Sequence, residues 1–489
     1  MFPRNPRSYL VLGLTLSVAA LVLGALMLPF GATEEERSLA LLYKLSLSEV
    51  PRAHESAPRE SGKAIVADLS MMQLSLIENG ALIDTFAIRS KGRPGTGWET
   101  PTGLYQVQTR EQKHFSSIGG VWMPYSMQFY GNFFIHGWPY YPDGKQVAEG
   151  YSGGCIRLST DDAAEVFAFA DRGTPVYVRG GTNETATSSR YWLSQGGTLP
   201  EIKGKAIIAA DLETGAILWE RASDEALPLR ELASAMTALV ALENVNQYKW
   251  VRMGELMLGK PVSRKEETGE LDEVPIGALV HPLVWNGNAM AGKAFALDIG
   301  TAAFVGRMNE KARAIGLEET TFFDPSPTAE NRGTARDMFL LLQRILENKR
   351  YLLDVALAKE KVVAGEGEKE RFSWQNRNAW VVEGDARYRG GFGGAWDNTD
   401  ARSSFAGVFA LPLSEFGDRK IAIIVLDSPD VKGDIDRVRD FVLDHYVFRD
   451  VPAEVPFVIE HRDRFPLLWG DLKDTRELER MIRSSGTDV

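Results

Sequence analysis

The sequence predicts an α+β multidomain protein: an N-terminal transmembrane helix, a mainly β domain, and a larger α/β domain. Three observations predict it. Tyr9 to Phe30 is a run of 22 residues without a charge. From Ala64, short apolar runs alternate with turn signals. From about residue 205 a strand hairpin is followed by long Ala-rich helices, then by strands near 404–412 and 420–426. The length of 489 residues fits about three domains. Hydrophobic residues make up 44% and charged residues 25%, an ordinary globular balance that excludes bulk disorder and fibrous structure. Lys and Arg number 55 against 66 Asp and Glu, and no basic run stands out, which argues against a nucleic-acid partner.

The elements follow in chain order. As a helix, the 22-residue run would extend about 33 Å, enough to cross a bilayer core. Arg4 and Arg7 precede it and Glu34, Glu35 and Glu36 follow, so the bulk is expected outside the cytoplasmic membrane. A cleaved signal peptide is the rival reading. Its apolar region is normally shorter, and Phe30, two before Ala32, spoils a small-x-small exit. Residues 1–32 are thus read as cytoplasmic tip and anchor, and 33–62, with Pro51 and Pro58, as a juxtamembrane linker. In the β domain, 63–180, Leu74, Leu76 and Ile83 flank the hairpin signal Asn79-Gly80. Gly92, Pro94, Gly95 and Gly97 mark a loop. Ser159 and Asp162 have capping-box-like spacing before a helical run from Ala163 to Ala170. Pro175–Val178 reads as one more strand. Residues 181–203, rich in Gly, Ser and Thr, read as a linker. The second domain is 204–450, and 451–489 is a charged C-terminal extension with scattered Pro.

The segment Tyr151-Ser-Gly-Gly-Cys-Ile-Arg-Leu158 holds the only cysteine, Cys155. A single cysteine forms no intramolecular disulfide and no thiolate metal cluster; it is a small buried hydrophobe or a nucleophile. Gly153 and Gly154 let a substrate approach the backbone. Free N–H groups and a helix start beyond Cys155 would favour a thiolate or an oxyanion. His136, 19 residues upstream in Phe134-Ile-His-Gly137, can take the thiol proton and return it to a leaving amine. The same residue types also fit plain packing.

Several signatures in one order bear on that choice. Val66-Ala-Asp-Leu-Ser70, Ile77-Glu-Asn-Gly80, Glu99-Thr-Pro-Thr-Gly103, Ile135-His136-Gly137 and Ser152-Gly-Gly-Cys-Ile-Arg157 occur in that sequence. Together they resemble the L,D-transpeptidase catalytic domain of bacterial cell-wall enzymes. One departure is Gly153, where the family often has His. The resemblance implies a ping-pong acyl transfer on peptidoglycan stem peptides. Cys155 would attack the L-centre carbonyl of the third residue, D-alanine would leave, and an amine would resolve the thioester. His136 would serve as base and then acid. Backbone N–H groups near Gly154 and Cys155, beside Gly137, would hold the oxyanion. Arg157 would anchor a substrate carboxylate, or tie the loop to the domain; Ser152 would contact substrate or serve the turn. Tyr125, Tyr130 and Trp138 would line the groove or pack.

Residues 205–450 resemble the penicillin-binding D-alanyl-D-alanine carboxypeptidases, a serine D,D-peptidase/β-lactamase-like fold. The resemblance is carried by the hairpin from Ala206 to Glu220, Met236-Thr-Ala-Leu-Val-Ala-Leu-Glu-Asn244, Thr334-Ala-Arg-Asp337 and Asn376-Arg-Asn378. The catalytic elements are degenerate. Glu231 and Ser234 stand where the family has its Ser-x-x-Lys pair, Asn286-Gly287-Asn288 at Ser-x-Asn, and Phe392-Gly393-Gly394 at Lys-Thr-Gly. Loss of all three implies a pseudo-enzyme that binds stem peptides or other cell-wall enzymes, or acts as a spacer. No cofactor or metal is expected. The alternatives to a transpeptidase are an L,D-carboxypeptidase, with water as acceptor, and a non-catalytic wall-binding scaffold.

Overall fold

The computed structural model describes residues 62–180, 189–193, 199–252, 273–327, 330–364, 371–394, 401–415 and 417–450. The anchor expected at residues 9–30, the juxtamembrane stretch and the C-terminal extension lie outside them. Among the described residues no helix is long and apolar enough to cross a membrane.

The first domain opens with β1 (Lys63–Asp68), β2 (Gln73–Glu78) and β3 (Ala81–Ala87). Asn79 and Gly80 take φ of 51° and 80°, the left-handed pair that a two-residue hairpin with native twist requires. Next come β4 (Gly103–Gln106), β5 (Thr109–Ser116), β6 (Val121–Tyr130), β7 (Phe133–His136) and β8 (Ile156–Arg157). Helix α1 (Thr160–Phe169) and β9 (Pro175–Arg179) complete the domain. Ser159 caps α1 by accepting from the Asp162 N–H at 3.0 Å. The strands form two sheets, in the orders β3-β2-β1-β9-β4 and β5-β6-β7-β8. Ile65, Leu74 and Leu76 of the first sheet, Met127, Phe129, Ile135 and Ile156 of the second, and Ala163 and Val166 of α1 share one core.

In the second domain β10 (Ser189–Leu193), β11 (Ala206–Asp211) and β12 (Ile217–Arg221) precede α2 (Ser234–Asn244), α3 (Thr301–Ala314) and α4 (Ala335–Asn348). Then come β13 (Tyr388–Gly393), β14 (Ser403–Ser414), β15 (Gly417–Ser428), α5 (Val431–His445) and β16 (Tyr446–Asp450). The sheet runs β10-β16-β14-β15-β11-β12, with β13 also on β14. Every residue of β11 is buried. Ala206, Ile208 and Ala210 share a core with residues of α2 and α4, whereas Ile207 and Ala209 pack with Ile435 and Val438 of α5. Side chains alternate along a strand, so this continuous apolar run is a sheet covered by helices on both faces.

The stretch 181–203, read as a linker, differs in part. Ser189–Leu193 is a strand of this sheet, pairing Tyr191 with Phe448 of β16. Tyr191 is buried, its ring centroid lies 4.9 Å from that of Phe448, and its hydroxyl donates to Asp211. The aromatic anchor outweighs the turn-forming composition around it.

The two domains meet through buried polar contacts. Lys311 of α3 donates to Glu243 at 3.0 Å and to the Tyr105 hydroxyl of β4 at 2.9 Å. Ala314 joins the first domain's core. Asn244, ending α2, donates to the Tyr130 hydroxyl at 3.2 Å. Asn348, ending α4, donates to the Thr100 carbonyl at 3.0 Å and accepts from the Thr102 N–H at 3.3 Å.

Candidate active site

Strands β7 and β8 build the site. They pair in parallel, Ile135 beside Ile156 and His136 beside Arg157. Ile135 and Ile156 point into the core between the sheets. Alternation turns His136 to the opposite face. Cys155, one residue before β8, packs on that face with Val121, Met123, Phe134 and Val147. The strand pairing thus puts on one face two groups that lie 19 positions apart in the chain.

His136 is buried, and its Nδ1 lies 2.6 Å from the Gly137 carbonyl. A carbonyl only accepts, so the neutral ring carries its proton on Nδ1 and leaves Nε2 as a free acceptor. Burial holds the imidazole at about 4; the Gly137 contact opposes this, and the charges of Arg157 and His114 add to it. Cys155 is half-buried, and its thiol donates to the Asn132 carbonyl at 3.8 Å. Burial pushes the thiol up to about 11, against the pull of Phe134's backbone and the Arg157 guanidinium. The resting pair is therefore a neutral thiol and a neutral imidazole.

That corrects the thiolate expected from the sequence. Helix α1 starts only at Thr160, beyond β8, with its first residue packed against Gly137. The Gly154 N–H, expected free for an oxyanion, donates to the Ser152 Oγ at 3.0 Å. Ser152 in turn donates to the Cys155 carbonyl at 2.6 Å. Its hydroxyl is spent inside the turn, which leaves the turn role rather than a substrate contact. With one cysteine in the chain, the charge state is directly measurable. Alkylation of Cys155 by iodoacetamide is expected to accelerate about tenfold per pH unit toward about 11. A plateau reached below about pH 8 would contradict the neutral thiol.

Gly154 has φ of 107°, and a Cβ there would lie 2.2 Å from the Phe133 ring and 3.2 Å from the Trp98 carbonyl. Only glycine fits. Gly153 faces open space, so the place where the family often carries His is vacant. Gly137 is tight against Pro124 and Thr160, and its N–H donates to the Pro124 carbonyl at 2.9 Å. Arg157 is half-buried beside the thiol, with its guanidinium 5.7 Å from the Trp138 ring. Its Nε is buried with no partner, and no carboxylate among the described residues pairs with it. Tyr130 is buried at the domain junction and Tyr125 packs on Phe167, so of the three aromatics Trp138 alone adjoins the site.

Sequence reasoning missed Asn132, whose carbonyl accepts the thiol's hydrogen bond, and Trp98 and Phe133, which bracket Gly154. No local motif marks them.

In the second domain the degenerate positions do converge. A Cβ on Gly287 would lie 3.0 Å from the Glu231 Cβ, and one on Gly393 would lie 3.0 Å from the Leu232 nitrogen. Glu231 accepts from the Ser403 hydroxyl at 2.8 Å. The Ser234 Oγ and Asn286 Oδ1 are buried without partners, and Asn288 caps a helix through the Ala291 N–H. Phe392 is buried in the core, and the Gly394 N–H donates to the Ser404 carbonyl at 3.1 Å. Ser234 thus has neither access nor a base.

Two family models match separate parts of the chain. Residues 62–178 match the L,D-transpeptidase catalytic domain, and residues 194–396 match the D-alanyl-D-alanine carboxypeptidase family. The chain thus carries one region similar to each of the two families. A D-alanyl-D-alanine endopeptidase of Pseudomonas aeruginosa is 27% identical over 36% of this chain, which spans 58% of that relative's length. One of the same description from Escherichia coli is 23% identical over 47% of this chain and 73% of its own. Among solved structures, a D-alanyl-D-alanine carboxypeptidase from Mycobacterium tuberculosis aligns with a TM-score of 0.41 at 18% identity, covering 53% of this chain and 98% of that one. The region similar to the L,D-transpeptidase domain contains Cys155 and His136; the region similar to the carboxypeptidase family contains Glu231, Ser234, Asn286 and Phe392.

Proposed function

We propose that the protein is a peptidoglycan L,D-transpeptidase that works through a Cys155 thioester, outside the cytoplasmic membrane. The observation that carries this reading is the parallel β7–β8 pairing, which brings Cys155 and a Nδ1-protonated His136 to one face. Cys155 Sγ attacks the L-centre carbonyl of the third stem-peptide residue while His136 Nε2 takes the thiol proton. The tetrahedral oxyanion collapses, the C–N bond breaks, and D-alanine leaves with the proton from His136. An acceptor amine then attacks the thioester, losing its proton to His136. The C–S bond breaks and the sulfur regains that proton. Because neither group is charged at rest, proton transfer accompanies attack rather than preceding it. The Arg157 guanidinium, which pairs with no carboxylate among the described residues, binds a substrate carboxylate.

Mass spectrometry of disaccharide-tetrapeptide incubated with the full chain tests this. Loss of D-alanine with crosslinked dimers supports the transpeptidase. Tripeptide alone would make the enzyme a carboxypeptidase, and unchanged substrate would leave a scaffold.

We further propose that the second domain is catalytically silent. Labelled penicillin is expected to give no covalent adduct. A stable adduct mapped to Ser234 would overturn this.

A further inference from the structure

Two routes lead from the second domain to the loops around Cys155. The first starts at the end of α4. Asn348 holds the Thr100 carbonyl and the Thr102 N–H, and the buried Lys349 donates to the carbonyls of Gly97 and Glu99. The Thr100 hydroxyl accepts from the Gly92 N–H at 2.8 Å. Gly92 bridges Ser152, and the Ser152 N–H donates to the Lys91 carbonyl at 2.8 Å. The Trp98 carbonyl closes over Gly154. The second route starts at the end of α2. The Asn244 carbonyl accepts from the Asn132 side chain at 3.0 Å, and the Asn244 side chain fills the space over Gly131. Asn132 is the residue whose carbonyl receives the thiol.

From this convergence we infer that the degenerate domain is an in-cis positioning partner: Asn244, Asn348 and Lys349 hold the two loops that set the place of the Cys155 sulfur. The inference rests on Cys155 being the reactive group. It gives the second domain a task that needs none of its lost catalytic residues. The contacts of Asn348 and Lys349 engage main-chain groups of residues 97–102, a loop outside the named strands, whereas the second route engages the Asn132 side chain. A loop's carbonyls and N–H groups need such partners to keep one conformation. Asn132, Asn244, Asn348 and Lys349 are positioning residues and do not touch the reacting atoms through their side chains.

The test uses the full chain with Asn132→Ala and Asn348→Ala, and Lys432→Ala on α5 as a control in the same domain. Asn132 has an exposed side chain, so its variant folds even if Asn348→Ala does not. Both loop variants are expected to alkylate at Cys155 about fivefold or more faster at pH 8, because the thiol is no longer held. Their kcat on tetrapeptide is expected to fall about tenfold with KM unchanged. The control should match wild type in both. Unchanged alkylation and kcat in a folded Asn132→Ala variant would overturn the inference and leave the second domain a spacer. If wild type turns over no tetrapeptide, the transpeptidase reading fails, and the alkylation rates alone still decide the positioning role.

Discussion

Cys155→Ala is expected to abolish D-alanine release while leaving the circular dichroism as in wild type and lowering the melting temperature by only about 1–3 °C. In the proposed mechanism the sulfur forms the bond that carries the acyl group, so no neighbouring side chain replaces it. The loop does not depend on that sulfur for its shape. Ser152 ties the turn through its own hydroxyl, to the Gly154 N–H and the Cys155 carbonyl, and β8 is held through Ile156 and Arg157. The thiol contributes one long contact to the Asn132 carbonyl and a share of a small apolar cluster. Truncation to Ala therefore costs on the order of 1 kcal/mol. Turnover surviving in a folded Cys155→Ala variant would remove the thioester from the mechanism.

Glu243→Ala is expected to have the largest effect on stability, about 3–5 kcal/mol at pH 7. The Glu243 side chain is fully enclosed, and it faces Lys311 at 3.0 Å and Lys349 at 4.0 Å, both nearly fully enclosed as well. Removing the carboxylate strands two buried ammonium groups at the domain junction. Burial already lowers both amines, Lys349 to about 8, with the Glu243 charge working the other way. Loss of Glu243 lowers them further. An amine whose folded pKa is depressed binds fewer protons folded than unfolded, so stability rises with pH between the folded value and the unfolded value of 10.5. The deficit should therefore be greatest at neutral pH and shrink toward pH 10. Urea midpoints at the two pH values measure it; an equal deficit at both would show that the lysines are not its source.

What was legible in the sequence was local. Asn79-Gly80 marks the hairpin, Ser159 the cap, and Ser152 the tight turn before Cys155, because each is decided within a few residues. The register that brings His136 beside Arg157 could only be expected through resemblance. The charge state was read the wrong way. Flanking glycines and a following helix suggested a thiolate, but burial among Val121, Met123 and Phe134 decides the matter, and burial is set by strands far away in the chain. The links from Asn348 to Thr100 and from Asn132 to Asn244 cross 248 and 112 positions and leave no spacing to detect. The strand at Ser189–Leu193 was hidden by its Gly- and Ser-rich flanks.

The uncharged thiol at rest bears on durability as well as on catalysis. Peroxides and other electrophiles consume thiolates, and oxidation past the sulfenic acid is not readily reversed. With its thiol pushed up to about 11, Cys155 is ionised in about one molecule in ten thousand at pH 7. The chain holds no second cysteine to rescue a sulfenic acid as an internal disulfide. Under the proposed mechanism, a sulfur that stays protonated until a peptide carbonyl is in place is thus protected where no second cysteine of the chain could repair it.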